Sequence, residues 1–200
     1  LASARCCLRW LSGRPASHNG VDLFCKPTNG GWKLVAPLAL RREPKYRDYG
    51  GYNSTLAWGP TGRLHFAADV YEGPTAQRRG EHQAIVYMAS DDRGRAWQRA
   101  SGAPIAGAPF VTNLDLLADS NRRHGAAKAD PVLRLGGLVV DAQDRPFVLY
   151  TRDEPEVGRA CLVTPDGNGG WRELGLAAAL RRQAPESGAL GAAGALTRTA

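Results

Sequence analysis

The sequence has no apolar run approaching the roughly 18 residues that a membrane-crossing helix needs, so no such span is expected. It has few lysines: 4 of the 26 basic residues are Lys and 22 are Arg. No basic run exceeds two residues, as in Arg41-Arg42 and Arg78-Arg79. The net charge of +7 reads first as a compositional bias towards Arg, and otherwise as attraction to a polyanion; a nucleic-acid groove wants a denser basic stripe, which leaves an acidic polysaccharide as the other partner class. The four cysteines (Cys6, Cys7, Cys25, Cys161) include no C-x-x-C spacing, and the four histidines are far apart in sequence. A metal site is therefore not expected, and no cofactor is implied. Adjacent Cys6 and Cys7 do not easily bridge each other, and the disulfide state stays open. The first 17 residues hold three Arg and no apolar core, which is not a signal peptide as it stands. The start at Leu1 rather than Met suggests a fragment or a processed chain.

With 43% hydrophobic and 22% charged residues, disorder throughout is excluded and one globular domain, or part of a larger one, is expected. Gly 24 and Pro 13 favour many turns and short strands over a helical bundle. Three stretches share one plan of apolar segment, polar turn and Trp: Val21 to Trp32, Ala84 to Trp97 and Ala160 to Trp171. Each reads as a hairpin whose Trp opens the returning strand. A second motif, strand–turn–strand, occurs at Leu56 to Asp69 and again, 82 residues on, at Leu138 to Thr151.

Two consecutive hairpins make a four-stranded antiparallel blade. One blade is expected from about Tyr52 to Ala100 and another from about Gly136 to Leu174, with residues 18–36 as the outer half of a blade before them. Recurrence at this period marks a β-propeller, so the fold class is all-β. About two and a half blades are present of the six or seven expected. The division is an N-terminal segment 1–17, a partial propeller 18–175 and an Ala/Gly-rich tail 176–200.

SDDRGRAW, Ser90 to Trp97, matches the Asp-box pattern S-x-D-x-G-x-x-W. The third copy keeps Thr164, Asp166 and Trp171 but has Asn168 at the Gly position. The first keeps only Asn29, Gly31 and Trp32. Over about residues 18–175 the chain resembles the sialidase-like BNR (Asp-box) repeat propellers. The box itself reads as structural: Asp92 accepts backbone N–H groups, Ser90 closes the turn, Gly94 permits positive φ and Trp97 covers the hairpin.

Asp boxes occupy the 3–4 turn of a blade, so the resemblance implies a pocket at the opposite end. Residues 58–62 and 141–144 then belong to the box end. The pocket end receives the loop from Asp69 to His82, with Tyr71, Glu72, Arg78 and Arg79, and the cluster Arg152-Asp153-Glu154. Links between blades add Tyr46, Arg47, Asp48, Tyr49, Tyr52 and Asn53, and further on Asn113, Asp115, His124, Lys128 and Asp130. Of these, Asp69, Tyr71 and His82 are the catalytic candidates, and Tyr52, Asn53, Glu72, Arg152 and Asp153 the substrate-binding ones, because sugar sites pair aromatic faces and Arg forks with acid/base groups. His65, inside an alternating strand, reads as a buried structural histidine. The resemblance favours a sialidase-type glycoside hydrolase on acidic glycans. The alternatives are a lyase on uronic-acid polymers, using His with Tyr or Arg for proton abstraction, and a non-catalytic glycan- or protein-binding propeller. It also implies a secreted or periplasmic protein.

Overall fold

The computed structural model describes residues 5–11, 20–40, 50–72, 81–120, 132–153 and 159–176. They form eleven described strands and one short 3-10 turn, Val111–Asn113. Strands β1 (Arg5–Leu11), β2 (Gly20–Lys26) and β3 (Lys33–Leu40) make a three-stranded sheet. β4 (Gly50–Trp58), β5 (Leu64–Glu72), β6 (Glu81–Ser90) and β7 (Asp115–Asp119) make a second, four-stranded sheet in that order. β8 (Val132–Val140), β9 (Pro146–Asp153), β10 (Arg159–Pro165) and β11 (Trp171–Gly175) make the third. Every ladder is antiparallel, as expected of partial propeller blades.

The central blade shows why the sheets stack. Side chains alternate along a strand, and both faces of β5 and β6 are apolar. Leu64, Phe66, Ala68, Val70, Ala84, Val86 and Met88 pack with Val21, Leu23 and Cys25 of the first sheet. The intervening Ala67, Ile85, Tyr87 and Ala89 pack with Leu133, Val148, Tyr150 and Val163 of the third. The 82-residue echo is structural: β4 and β8 start 82 residues apart, and the only described non-glycine with positive φ besides Arg93 is Asp144, the counterpart of Gly62.

In the turn after β6, Ser90 Oγ accepts Gly94 N–H at 2.7 Å, and Asp92 Oδ1 accepts the N–H groups of Arg95 and Ala96 at 2.9 and 2.8 Å. Gly94 has φ +88°, and a methyl there would lie 2.1 Å from Leu23 Cδ2 of the neighbouring sheet. In the third blade Asp166 keeps one equivalent bond, to Gly170 N–H, and takes Asn168 N–H in place of the Gly169 one, while Gly167 and Gly169 carry the positive φ and the buried Thr164 hydroxyl has no partner. The degraded motif thus closes a turn at the same place with a different local geometry.

Four expectations are corrected. The strand returning after Trp97 is not the segment up to Ala100. Gln98 makes only isolated bridges, and the fourth strand is β7, after a 3-10 turn. Pro104, Pro109 and the positive-φ Gly102 and Gly107 break any ladder immediately after Trp97. Asp115 therefore sits in a strand, at the box end, where its carboxylate accepts Ala100 N–H at 2.6 Å. Asn113 belongs to the 3-10 turn and accepts Phe110 N–H rather than reaching the opposite end. The first sheet also has a strand, β1, that the hairpin pattern did not announce, and Cys25, paired in register with Cys6, is disulfide-bonded.

Two of the three repeated indoles occupy one kind of position, each packed against the preceding sheet. Trp97 lies in the core between first and second sheets, edge-on to Phe66 at 6.1 Å. Trp171 lies between second and third, edge-on to Tyr87 at 5.0 Å. Trp32 is 51% exposed. Trp97→Ala is expected to cost about 3–5 kcal/mol in denaturant unfolding, whereas Trp32→Ala stays within roughly 1 kcal/mol.

A polar cluster joins the second and third blades at the box end. Fully buried His65 places Nδ1 2.6 Å from Tyr87 Oη and Nε2 3.7 Å from Asp144 Oδ1. Thr61 Oγ1 donates to Asp144 Oδ2 at 2.8 Å, and Arg63 forks onto Asp91 at 2.7 and 3.1 Å. Gly59 admits this carboxylate, since a Cβ there would lie 1.7 Å from Asp144 Oδ1. Burial holds the His65 pKa below its ordinary value, against the opposing pull of Asp144. The unfolded chain therefore binds this proton more readily, and the stability contributed by neutral His65 is lost as pH falls from about 6.5 through the depressed value. Melting curves from pH 7 to 5 should fall more steeply for the native chain than for His65→Gln.

Candidate functional site

The opposite end of the same two blades is organised by backbone irregularities. β4 bulges between Gly51 and Ser54, opposite Asp69. The β5–β6 ladder shifts between Val70 and Tyr71, so that Tyr71 pairs with His82 and Gln83 is the extra residue. β8 shifts between Leu135 and Gly137. A bulge takes backbone N–H groups out of their ladder, and a buried one needs another acceptor.

Asp69 supplies it. Its side chain is fully buried. Oδ1 accepts Asn53 N–H at 2.8 Å, and Oδ2 accepts Asn53 Nδ2–H at 2.7 Å and, from the next blade, Leu135 N–H at 3.1 Å. His82 Nδ1 lies 3.2 Å from Oδ1. The β6 bulge matters here. Alternation from Ala84 would send His82 towards the first sheet, but the extra residue resets it onto the face of Tyr71 and Asp69. The Tyr71 and His82 rings meet edge-to-face at 5.4 Å.

The three catalytic candidates are thus brought together, on strands rather than in a loop. β5 runs on to Glu72 because its ladder with β6 continues to Glu81, which places Asp69 inside the strand and His82 at the start of the next. Asn53, read as part of a blade link, is a β4 residue whose amide grips Asp69. Tyr52 lies in β4, Glu72 ends β5 and Asp153 ends β9, all at this end of the blades, with side chains outside the described residues. Residues 46–49, Arg78, Arg79, His124, Lys128, Asp130 and Glu154 also lie outside them.

Arg152 is in β9, not a loop, and is engaged within its own blade. It donates to Tyr150 Oη at 3.3 Å and Glu173 Oε2 at 3.2 Å, while Tyr150 Oη itself donates to Glu173. Burial, reinforced by Glu173, pushes the Tyr150 phenol up. Burial also opposes ionisation of Glu173, but Tyr150 and the Arg152 charge outweigh it and hold its carboxyl below the usual range. Burial beside Glu173 pushes the Cys161 thiol up, which leaves it protonated and unreactive at neutral pH. No group of three or more His, Cys, Asp or Glu among the described residues could hold a metal ion.

One member of the site escaped the sequence. The Leu135 N–H is backbone, invisible to any search for reactive side chains.

The described architecture is that of consecutive propeller blades with a polar cluster at the end away from the S-x-D-x-G-x-x-W turn. A family model described as "BNR repeat-containing family member" matches residues 11–178, and the chain belongs to that family. No curated protein matches the sequence. Among solved structures, a polysaccharide lyase, an ulvan lyase bound to -[GlcA(1-4)Rha3S]-, is similar with a TM-score of 0.57 and 14% identity over 77% of this chain. The same enzyme without that ligand gives the same values. At that identity the likeness establishes the fold. The chain spans 37% of the length of either structure.

Asp69→Ala strands three N–H donors and is expected to destabilise the chain by about 3 kcal/mol, against about 1 kcal/mol for Asn53→Ala. Chemical denaturation of both variants measures the difference.

Proposed function

We propose that the protein is a polysaccharide lyase acting on a uronate-containing acidic polymer. The observation that carries this reading is the contact of His82 with Tyr71, backed by Asp69, at one end of two adjoining blades. Elimination needs two proton transfers: a base takes the proton next to the uronate carboxylate, the bond to the leaving oxygen breaks, a double bond forms and an acid protonates the leaving oxygen. His82 and Tyr71 are the groups proposed for those transfers. Tyr52, Asn53, Glu72, Arg152 and Asp153 are proposed to border the polymer. The net charge of +7 suits an acidic substrate. The two solved lyase structures, one holding a glucuronate-containing fragment, support the same substrate class.

A sialidase-type hydrolase is the second reading, favoured by the Ser90–Trp97 motif. It requires an Arg cluster on the substrate carboxylate, to which Arg152 would contribute. The protein is further proposed to work in a secreted or periplasmic setting, which the disulfide at Cys25 supports.

The deciding experiment is incubation of the full-length protein with a glucuronate-containing sulfated polysaccharide. The expected result is a rise in near-ultraviolet absorbance from unsaturated uronate. New reducing ends or free sialic acid without that absorbance would establish the hydrolase, and binding without product a glycan-binding module. His82→Ala and Tyr71→Phe should each lower the rate about 10²–10⁴-fold. Asp92→Ala, compared at equal folded fraction, should leave it nearly unchanged.

A further inference from the structure

We infer that Asp69 is a positioning residue that sets the tautomer and direction of the His82 ring, and is not itself the proton-transfer group. The inference rests on the lyase reading for its catalytic consequence, but its structural part stands on geometry alone. Three N–H donors already converge on the Asp69 carboxylate, two from Asn53 and one from Leu135 of the adjoining blade. Each of them requires an acceptor, and the group is fully buried. A carboxylate so occupied has neither the exposure nor the spare geometry to meet a polymer. What it does face is Nδ1 of His82, at 3.2 Å. The approach is a close charge contact rather than an aligned hydrogen bond, and a negative charge beside Nδ1 favours the tautomer with its proton on Nδ1 and the lone pair on Nε2.

The packing supports the same division of labour. Tyr71 meets the imidazole edge-to-face and limits its rotation. The bulge at Gln83 supplies the turn that brings the ring over to Asp69. Because one of the three donors is Leu135 N–H, the orientation of His82 depends on the seating of the third blade against the second. The catalytic geometry is therefore expected to require both blades, although the reacting side chains belong to one.

The test is long-range proton–nitrogen correlation spectroscopy on the full-length protein with ¹⁵N-labelled histidine, above pH 8, with His82 assigned by His82→Gln. The expected native spectrum shows His82 protonated on Nδ1. Asp69→Asn should convert it to a mixture or to the Nε2-protonated form and lower kcat by about 10²–10⁴-fold with little change in KM. Should Asp69→Asn fail to fold, Asn53→Ala removes one donor while keeping the carboxylate, and should shift the tautomer ratio partially with a smaller fall in kcat. A native His82 protonated on Nε2, or a tautomer indifferent to both substitutions, overturns the positioning role whatever the activity. The tautomer is read without substrate. An Nδ1-protonated His82 that responds to Asp69→Asn in a protein producing no unsaturated uronate would therefore sustain the positioning role and remove the lyase reading.

Discussion

Burial of both faces of the central sheet is the constraint on which the rest depends. Leu64, Phe66, Ala68 and Val70 need a sheet on one side, while Ala67, Ile85 and Tyr87 need one on the other. A strand pair apolar on both faces cannot stand at a surface, so β5 and β6 hold their neighbours in a stack. That stacking places β8 beside β5 and delivers the Leu135 N–H to Asp69. It also brings Asp144 to His65 at the other end of the same joint.

The two ends of this joint solve a similar electrostatic problem differently. Each buries a carboxylate next to a histidine between the same blades. At the box end Asp144 receives Thr61 and faces a fully buried His65 whose other nitrogen is occupied by Tyr87. At the far end Asp69 is held by backbone and amide donors, and His82 lies near the strand ends with Tyr71 beside it. Both histidines are buried, and the His82 pair differs in lying where its strands begin and end.

Much of the fold was legible because period-2 alternation and turn residues are local signals. The hairpin around Trp171, the 82-residue echo and the separation of the Ser90–Trp97 turn from the Asp69–His82 end all follow from them. The fourth strand of the central blade was misplaced because the hairpin plan expects a return directly after Trp97, and the Pro and Gly residues of 98–110 postpone it to Asp115. β1 was missed because Arg5–Leu11 lacks a turn–Trp signature.

The sequence alone determined that Asp69, Tyr71 and His82 share the end of the blades away from the Ser90–Trp97 turn, since strand order and turn chemistry are written in neighbouring residues; for Asn113 and Asp115 it pointed to the wrong end. Only the tertiary structure decided that His82 turns towards Asp69, because that depends on one extra residue in a ladder. It alone decided also that Asp69 is enclosed, because the enclosing donors are the backbone of Asn53 and of Leu135, 66 positions away in the chain. Backbone N–H groups are common to nearly every residue, so no pattern of side chains reveals which of them a fold will leave in need of a carboxylate.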